Sequence, residues 1–317
     1  MKAVVTGGAG FLGSHLVDKL IERGDEVVAI DNLLTGDLNN LDHLKDNPKF
    51  KFLEADVVKP LDLKADQIYH LASPASPNTH HPKSYIALSF ETMQVNTVGT
   101  WNLCELAGKI GAKFLFASTS EVYGDPSEHP QKESYRGNVS TTGPRSVYDE
   151  AKRFGETITA AYVRSKGLDG RITRIFNTYG PRMADDGRVV SQFIQAVKLN
   201  KPFPVFGDGK QTRSFCYVTD MIGGIVAAME KGEKGEVFNL GNPEEFTILE
   251  LAEKIKQLTN STSEIEFVSE LPEDDPVQRC PDISLAKQIL GWEPKVSLEE
   301  GIRKLIDYQS QLTQKNA

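Results

Sequence analysis

A glycine-rich turn directly after the first apolar run constrains this chain more than any other feature of its sequence. Residues 7–13 read GGAGFLG, follow the apolar run 3–6 and open an amphipathic segment at 14–22. Glycines at these spacings let the backbone approach a pyrophosphate, and the helix that follows offers free N–H groups and the positive end of its dipole. The pattern is weak by itself, but here it lies between a predicted strand and a predicted helix, as a dinucleotide site requires.

Short apolar runs alternate with longer helical patterns through the first half of the chain. The predicted strands are 3–6, 26–30, 51–54, 67–71, 114–118 and 171–176, and the predicted helices are 14–22, 92–109 and 148–165. Strands separated by helices of this length form βαβ units with right-handed crossovers. We therefore predict an α/β fold built on a doubly wound parallel sheet of the Rossmann type.

The second half is richer in loops and is punctuated by proline and glycine. It carries predicted strands at 237–240 and 265–268 and predicted helices at 247–258 and 298–308. We expect residues 1–175, with a returning segment at about 215–242, to form the dinucleotide-binding domain. Residues 176–214 and 243–317 would form a smaller, interleaved substrate-binding lobe.

Charge and cysteine content exclude several classes of function. The formal net charge is −8, which would repel a phosphate backbone, so we expect no nucleic-acid partner. The three cysteines form no CxxC pair and no cluster with histidine in the sequence, so we predict neither disulfides nor a metal site. The N-terminus runs straight into a strand and no segment reaches ~18 apolar residues, so we expect a soluble, cytoplasmic protein without membrane contact.

Asp31 ends the second predicted strand, eighteen residues beyond Gly13. A carboxylate at this place can accept hydrogen bonds from both ribose hydroxyls of a dinucleotide and would repel a 2′-phosphate, so we predict NAD rather than NADP as cofactor. Asp56 and Val57, after the third predicted strand, are placed to meet the adenine ring.

Tyr148 and Lys152 form a YxxxK pattern whose i, i+4 spacing puts both side chains on one helix face. An ammonium near the phenol would lower the tyrosine pKa from about 10 toward the working pH and make a base for a sugar hydroxyl. Upstream, residues 118–124 read STSEVYG after the fifth predicted strand. Ligands bind beyond the carboxyl ends of parallel strands, so Thr119, Ser120 and Glu121 are candidate catalytic residues, although Ser and Thr here could equally cap a helix.

Together these elements resemble the extended short-chain dehydrogenase/reductase superfamily, whose members act on nucleotide sugars. Similar stretches cover nearly the whole chain: HLASP at 70–74, RIFNTYGPR at 174–182, DGRVV at 186–190, QTRSF at 211–215, LGNPEE at 240–245 and RCPDI at 279–283. Within the superfamily the chain most resembles the UDP-glucuronate decarboxylases.

The resemblance implies decarboxylation of UDP-glucuronate to UDP-xylose through a 4-keto intermediate, with NAD recycled internally. Tyr148 would take the proton of the C4 hydroxyl, Thr119 would bond the C4 oxygen, and Ser120 and Glu121 would assist around C5. Arg279 would anchor an anionic part of the substrate. The implied cofactor site is Gly7, Gly10, Phe11, Leu12, Gly13, Asp31, Asn32, Thr35, Gly36, Asp56, Val57, Leu71, Ala72, Ser73, Ala117, Tyr148, Lys152 and Arg182.

The UDP moiety would be held by Asn177, Arg188, Val190 and Arg213, since arginine forks suit phosphate geometry. Each arginine could instead be a surface ion-pair partner. The resemblance also implies a homodimer, because the predicted helices 92–109 and 148–165 match a pair that forms a four-helix interface in these relatives. Apolar positions of the first helix (Val95, Val98, Leu103 and Leu106) could equally belong to the monomer core.

Two features keep other functions open. Ser120 stands where nucleotide-sugar 4,6-dehydratases commonly carry an acidic residue. This counts against a dehydratase without excluding a UDP-hexose or UDP-N-acetylhexosamine 4,6-dehydratase. Glu121 counts against a 4-epimerase. A non-catalytic NAD-sensing protein would tend to lack Tyr148 or Lys152. The segment 78–94 is several residues longer than in decarboxylases, and Gln94 stands where lysine is common, so the C5 substituent stays open. Its adjacent histidines, His80 and His81, have no evident third partner for a metal site.

Overall fold

The computed structural model describes residues 1–78, 81–268 and 275–315, which form an α/β fold around one large sheet. The strands are β1 Lys2–Thr6, β2 Glu26–Asp31, β3 Phe50–Glu54, β4 Gln67–His70, β5 Lys113–Thr119, β6 Gly170–Ile175, β7 Thr178–Tyr179, β8 Phe203–Phe206, β9 Thr212–Ser214, β10 Cys216–Tyr217, β11 Val237–Leu240, β12 Glu245–Thr247, β13 Ile265–Val268 and β14 Gln278–Arg279. The helices are α1 Phe11–Glu22, α2 Ser89–Gln94, α3 Thr100–Ile110, α4 Ser146–Lys166, α5 Val189–Leu199, α6 Val218–Lys231, α7 Ile248–Thr259 and α8 Leu298–Lys315.

Seven parallel strands make the central sheet, in the spatial order β3-β2-β1-β4-β5-β6-β11. The order reverses between β1 and β4, so chain connections leave in opposite directions there and open a crevice at the carboxyl ends of the strands. All six strands predicted in the first half take part, and Val237–Leu240 adds the seventh. The predicted doubly wound parallel sheet is confirmed.

Alternating side chains of the inner strands enter two separate cores, because successive residues of a strand point to opposite faces. Ala3 and Val5 belong to the core that includes α1 and α6, whereas Val4 belongs to the core that includes α3 and α4. Each of these three side chains is fully buried. Apolar burial on both faces is what fixes the sheet as the middle layer of the fold.

The helix predicted at 92–109 is interrupted. A π-helical turn, Val95–Gly99, separates α2 from α3. Hydrophobic periodicity does not reveal such an insertion, because the turn adds one residue to the hydrogen-bonded ring without ending the helix. The turn packs closely on the sheet side, since a Cβ on Gly99 would lie 2.8 Å from Cγ2 of Val57.

The second half contains more regular structure than its prolines and glycines suggested. Helices α5 and α6 lie in the region that the sequence indicated as rich in loops. The prolines there flank the helices rather than interrupt them, and α6 tolerates the pair Gly223–Gly224 because it packs against Trp292 and Leu240. A three-stranded sheet, β12-β9-β14, and two pairs, β13-β8 and β10-β7, complete this part of the fold. No helix in the described part of the chain is long and apolar enough to cross a membrane.

Candidate active site

A cavity of about 1620 Å³ opens at the carboxyl ends of the central strands. Pockets for one small ligand usually measure about 300–1,000 Å³, so this cavity has room for a dinucleotide and a second ligand. Every site residue predicted from the sequence lines it except Gly36. The fold therefore brings the candidate cofactor, catalytic and substrate residues into one continuous space.

The turn between β1 and α1 can only be built from glycine at its key positions. Gly7 has φ +70°, and a Cβ there would lie 2.8 Å from the Cα of Ala72. A Cβ on Gly13 would lie 1.9 Å from the carbonyl oxygen of Gly7, which no relaxation of a side chain could relieve. The backbone at the start of α1 thus faces the cavity without side chains in the way, as close approach of a pyrophosphate requires.

Asp31 is held in place at the end of β2 by the turn itself. Its carboxylate accepts hydrogen bonds from the N–H groups of Ala9 at 3.1 Å and Leu33 at 2.9 Å. Burial raises the pKa of this carboxyl above its ordinary value, and those two bonds oppose the rise. Gly36 packs on Asp31 instead of lining the cavity, since a Cβ there would lie 2.9 Å from either carboxylate oxygen.

Tyr148 and Lys152 lie in the first two turns of α4, where both are buried. The Nζ atom of Lys152 donates to the carbonyl oxygen of Ala117 at 2.7 Å and lies 5.8 Å from the centroid of the Tyr148 ring. Burial lowers the pKa of Lys152 to about 7, against the opposing charge of Glu156. At neutral pH, Lys152 is therefore present in both its charged and its uncharged forms.

The pKa of Tyr148 moves opposite to the sequence prediction. Burial raises it well above 10, and the charge of Glu121 adds to the rise, while a hydrogen bond with Thr119 and the charge of Arg188 partly offset it. The physical reason is that burial disfavours the charged phenolate, while Nζ of Lys152 is engaged with the carbonyl of Ala117.

Glu121 is clamped between two arginines. The Nη2 atom of Arg145 lies 2.6 Å from one carboxylate oxygen, and Nη1 of Arg279 lies 3.1 Å from the other. Burial by itself would raise the pKa of Glu121, but these arginines hold it at about 2. Glu121 is therefore an anion at any ordinary pH. Arg279 also donates to Oγ of Ser120 at 3.1 Å, which links two of the predicted catalytic residues.

The cluster continues through a second carboxylate. Asp275 accepts from Arg145 and from Arg213, at 2.9 Å each. Arg279 is 1% exposed, so the alternative interpretation of it as a surface ion-pair partner is wrong. Arg188 pairs with Asp186 at 2.9 Å while lining the cavity, and Arg182 pairs with Asp18 at 2.7 Å.

Sequence reasoning missed Tyr85, Arg145 and Asp275 among the residues of this site. The ring of Tyr85 stacks on that of Tyr148 with centroids 4.6 Å apart and planes 10° apart, and its buried hydroxyl has no hydrogen-bond partner among the residues that the structure describes. Tyr85 belongs to the segment 78–94, whose unusual length was the one signal that pointed to it. Arg145 lies three residues before Tyr148, and nothing in the sequence distinguishes it from a surface arginine.

Comparison with known proteins decides the family. A sequence profile described as GDP-mannose 4,6 dehydratase matches residues 4–305. Over 314 residues the chain is 55% identical to UDP-glucuronic acid decarboxylase 1 of Arabidopsis thaliana, covering 98% of this chain and 71% of the relative. With UDP-glucuronic acid decarboxylase 1 of Xenopus tropicalis the identity is 50% over 308 residues, covering 97% and 72%. The chain belongs to the UDP-glucuronic acid decarboxylase family.

A solved structure from the wider superfamily has the same fold as this decarboxylase-family chain. The UDP-glucuronic acid 4-epimerase of Bacillus cereus, crystallised with UDP-glucuronic acid and NAD, superposes with a TM-score of 0.86 at 33% identity and covers 98% of this chain and 100% of the epimerase. The predicted membership of the extended short-chain dehydrogenase/reductase superfamily is confirmed.

Proposed function

We propose that this protein decarboxylates UDP-glucuronate to UDP-xylose through a 4-keto intermediate, with NAD as a recycled cofactor. The observation that carries the proposal is identity of 50–55% to UDP-glucuronic acid decarboxylases over 97–98% of the chain. The cavity adds a physical basis, because it places a buried tyrosine, a lysine and an arginine-clamped glutamate at the ends of β5 and α4.

The residues present fit NAD. The Gly7–Gly13 turn leaves backbone N–H groups uncovered, and the Asp31 carboxylate at the end of β2 offers oxygens to a ribose diol. When bound, NAD supplies the acceptor for a hydride and returns it later. The structural relative from Bacillus cereus was crystallised with NAD.

The chemistry assigned to this chain's residues begins at the sugar C4 hydroxyl. Burial raises the pKa of Tyr148, so it is a neutral phenol at rest and accepts the C4 proton while it passes its own proton toward Lys152. Hydride leaves C4 in the same step, and Thr119, which hydrogen-bonds Tyr148, steadies the oxygen that becomes a ketone. Lys152, with its pKa lowered to about 7, exchanges a proton with this pair at little cost near neutral pH.

Carbon dioxide then leaves from C5. The C5–carboxylate bond breaks, its electron pair moves onto the C4 oxygen to leave an enolate, and C5 takes a proton from solvent water before hydride returns to C4. Since CO2 departs as a neutral molecule, no acid is needed at Ser120. Arg279 contacts both Ser120 and Glu121 and is the cation best placed to hold the anionic end of the substrate.

The nucleotide would occupy the part of the cavity lined by Asn177, Arg188, Val190 and Arg213. Both arginines already pair with one carboxylate each, which orients their planar forks before a diphosphate arrives. In this division residues 1–175 with about 215–242 bind NAD, and residues 176–214 and 243–317 bind the UDP-sugar.

We also propose a homodimer formed by the helices α2, α3 and α4. These helices expose Phe90 (73%), Trp101 (52%) and Phe154 (52%), and the π-helical turn between α2 and α3 exposes Val98 (44%), whereas Leu103 and Leu106 are buried in the monomer. The three helices pack together, and exposed apolar groups on one such helical unit are typical of an interface. Light scattering tests this: Trp101→Glu should give monomers, and Phe267→Glu, at an exposed phenylalanine on β13, should leave the dimer intact.

We place the protein in the cytoplasm. Cys104, Cys216 and Cys280 are all free thiols, and unpaired cysteines are typical of a reducing compartment.

A 4,6-dehydratase activity is the second candidate, favoured by the description of the matching sequence profile. The two functions predict different products. UDP-glucuronate should yield CO2 and a pentose nucleotide, whereas a dehydratase would form a 4-keto-6-deoxy sugar from an uncharged UDP-hexose. Incubation with each substrate, followed by mass spectrometry of the nucleotide products, distinguishes them. Absence of CO2 together with a 4-keto-6-deoxy product would overturn the decarboxylase proposal.

A further inference from the structure

A histidine, a glutamate and a cysteine meet outside the catalytic cavity. The Nε2 atom of His129, a carboxylate oxygen of Glu245 and the Sγ atom of Cys280 all lie within 4.8 Å of one another. More than a hundred residues separate His129 from Glu245 in the sequence, so only the fold brings them together. None of the three lines the cavity described above.

The three side chains differ in solvent exposure: the thiol is buried, and the other two groups are partly exposed. Cys280 is 4% exposed, while the side chains of His129 and Glu245 are 32% and 24% exposed. His129 and Glu245 already share a hydrogen bond of 2.7 Å between Nε2 and Oε2. The Cys280 thiol donates to the carbonyl oxygen of Pro243 at 3.3 Å, and a bound cation would replace the proton of that hydrogen bond.

The backbone that carries the ligands is fixed by hydrogen bonds. The N–H of Cys280 donates to Oε1 of Gln131 at 2.9 Å, and the N–H of Gln131 donates to the carbonyl of Cys280 at 2.8 Å. The hydroxyl of Thr212 donates to the other oxygen of Glu245 at 2.8 Å. Such an outer partner orients a metal-binding carboxylate and leaves its second oxygen available.

Imidazole, carboxylate and thiolate together are ligands that zinc prefers, and the soft sulfur disfavours magnesium and calcium. Three protein ligands leave a fourth tetrahedral position for water. We propose that His129, Glu245 and Cys280 bind a thiophilic divalent cation of the zinc class. The sequence predicted no metal, because it showed no cluster of cysteine and histidine.

The proposed metal site adjoins the small sheet that carries two arginines of the active site. Cys280 directly follows Arg279 on β14, and Glu245 begins β12; both strands pair with β9, which carries Arg213. A cation held by Glu245 and Cys280 joins the two outer strands of this small sheet through their side chains. It therefore stabilises the sheet that presents Arg213 and Arg279 to the cavity.

The test uses full-length, tag-free protein that has been treated with a chelator and then titrated with Co²⁺. Wild type should bind one equivalent and develop a thiolate-to-cobalt absorption band, which Zn²⁺ then removes by displacement. Cys280→Ser should lose the band, and the matched control Cys104→Ser, at a buried cysteine of another core, should keep it. His129→Gln should weaken binding at least about tenfold, since even outer partners of metal ligands contribute that much.

Two results would overturn the proposal: no thiolate band in wild type, or a band of unchanged strength in Cys280→Ser. If Cys280→Ser does not fold, His129→Gln decides the question, because His129 is partly exposed and its replacement leaves the core intact. In that variant, unchanged cobalt affinity overturns the proposal. Zn²⁺ should also raise the melting temperature of wild type and not that of Cys280→Ser.

Discussion

Replacing Glu121 by glutamine tests the arginine clamp, because glutamine keeps the shape of the side chain and removes its charge. The two neighbouring arginines lower the pKa of Glu121 from 4.5 to about 2. A pKa difference of this size corresponds to about 3 kcal/mol of folding free energy at 1.36 kcal/mol per pH unit. Removal of one partner from a buried ion pair typically costs a similar roughly 3–5 kcal/mol.

The sign of the pH dependence follows from the direction of this shift. A carboxyl whose pKa is depressed in the folded state stabilises the protein above its unfolded pKa of 4.5, and that stabilisation is lost as the pH falls toward about 2. The free-energy gap between wild type and Glu121→Gln should be about 3 kcal/mol at pH 6 and only about 2 kcal/mol at pH 3.5.

Urea unfolding followed by circular dichroism at the two pH values measures this gap. Glu253→Gln, at an exposed glutamate on α7, is the matched control and should unfold like wild type at both. If Glu121→Gln were as stable as wild type at pH 6, or if the gap did not change with pH, the clamp would not be what keeps Glu121 ionised.

Three further predictions concern the cofactor and the catalytic pair. Tyr148→Phe should lower turnover by about 10²–10⁴-fold, as loss of a general base does, with NAD affinity unchanged in calorimetry; normal turnover would contradict the assignment. Lys152→Met should be more stable to urea than wild type at pH 6, because burial lowers the pKa of Lys152 from 10.5 to about 7 and so disfavours the charged lysine in the folded protein. The difference in unfolding free energy should vanish as the pH rises past 10, and a difference that persists there would contradict the assignment. Asp31→Asn should raise the dissociation constant of NAD by roughly tenfold, which is the effect of losing one charge-assisted hydrogen bond. The variant should also show a smaller preference for NAD over NADP, and an unchanged preference would count against Asp31 as the ribose ligand.

The sequence predicted the central sheet well because each of its strands is a short apolar run bounded by turns, and such runs are local signals. The glycine turn was equally readable, since Gly13 sits where a Cβ would collide with the backbone of Gly7. Helices α5 and α6 were not predicted, because glycine and proline near their ends resembled loop punctuation. The π-turn at Val95–Gly99 was missed because it inserts a residue without ending the helix and has no residue type that marks it.

The active site was predictable only where a motif marked it. The candidate residues at 119–121 and 148–152 follow strand ends or helix starts, and the fold brings them together as expected. Tyr85 and Arg145 act through contacts across the chain, a stacked ring and a clamp on Glu121, and neither contact leaves a local pattern. The pKa of Tyr148 was mispredicted for the same reason, since burial outweighs the nearby lysine and depends on the whole surrounding packing.

The most direct test of the proposed activity supplies UDP-glucuronate labelled with ¹³C at its carboxyl carbon to the protein with NAD. The proposal predicts labelled CO2 and UDP-xylose in equal amounts, with no net reduction of NAD. Recovery of the label in UDP-galacturonate, the C4 epimer, with no CO2 released, would contradict decarboxylation and indicate an epimerase on the same fold.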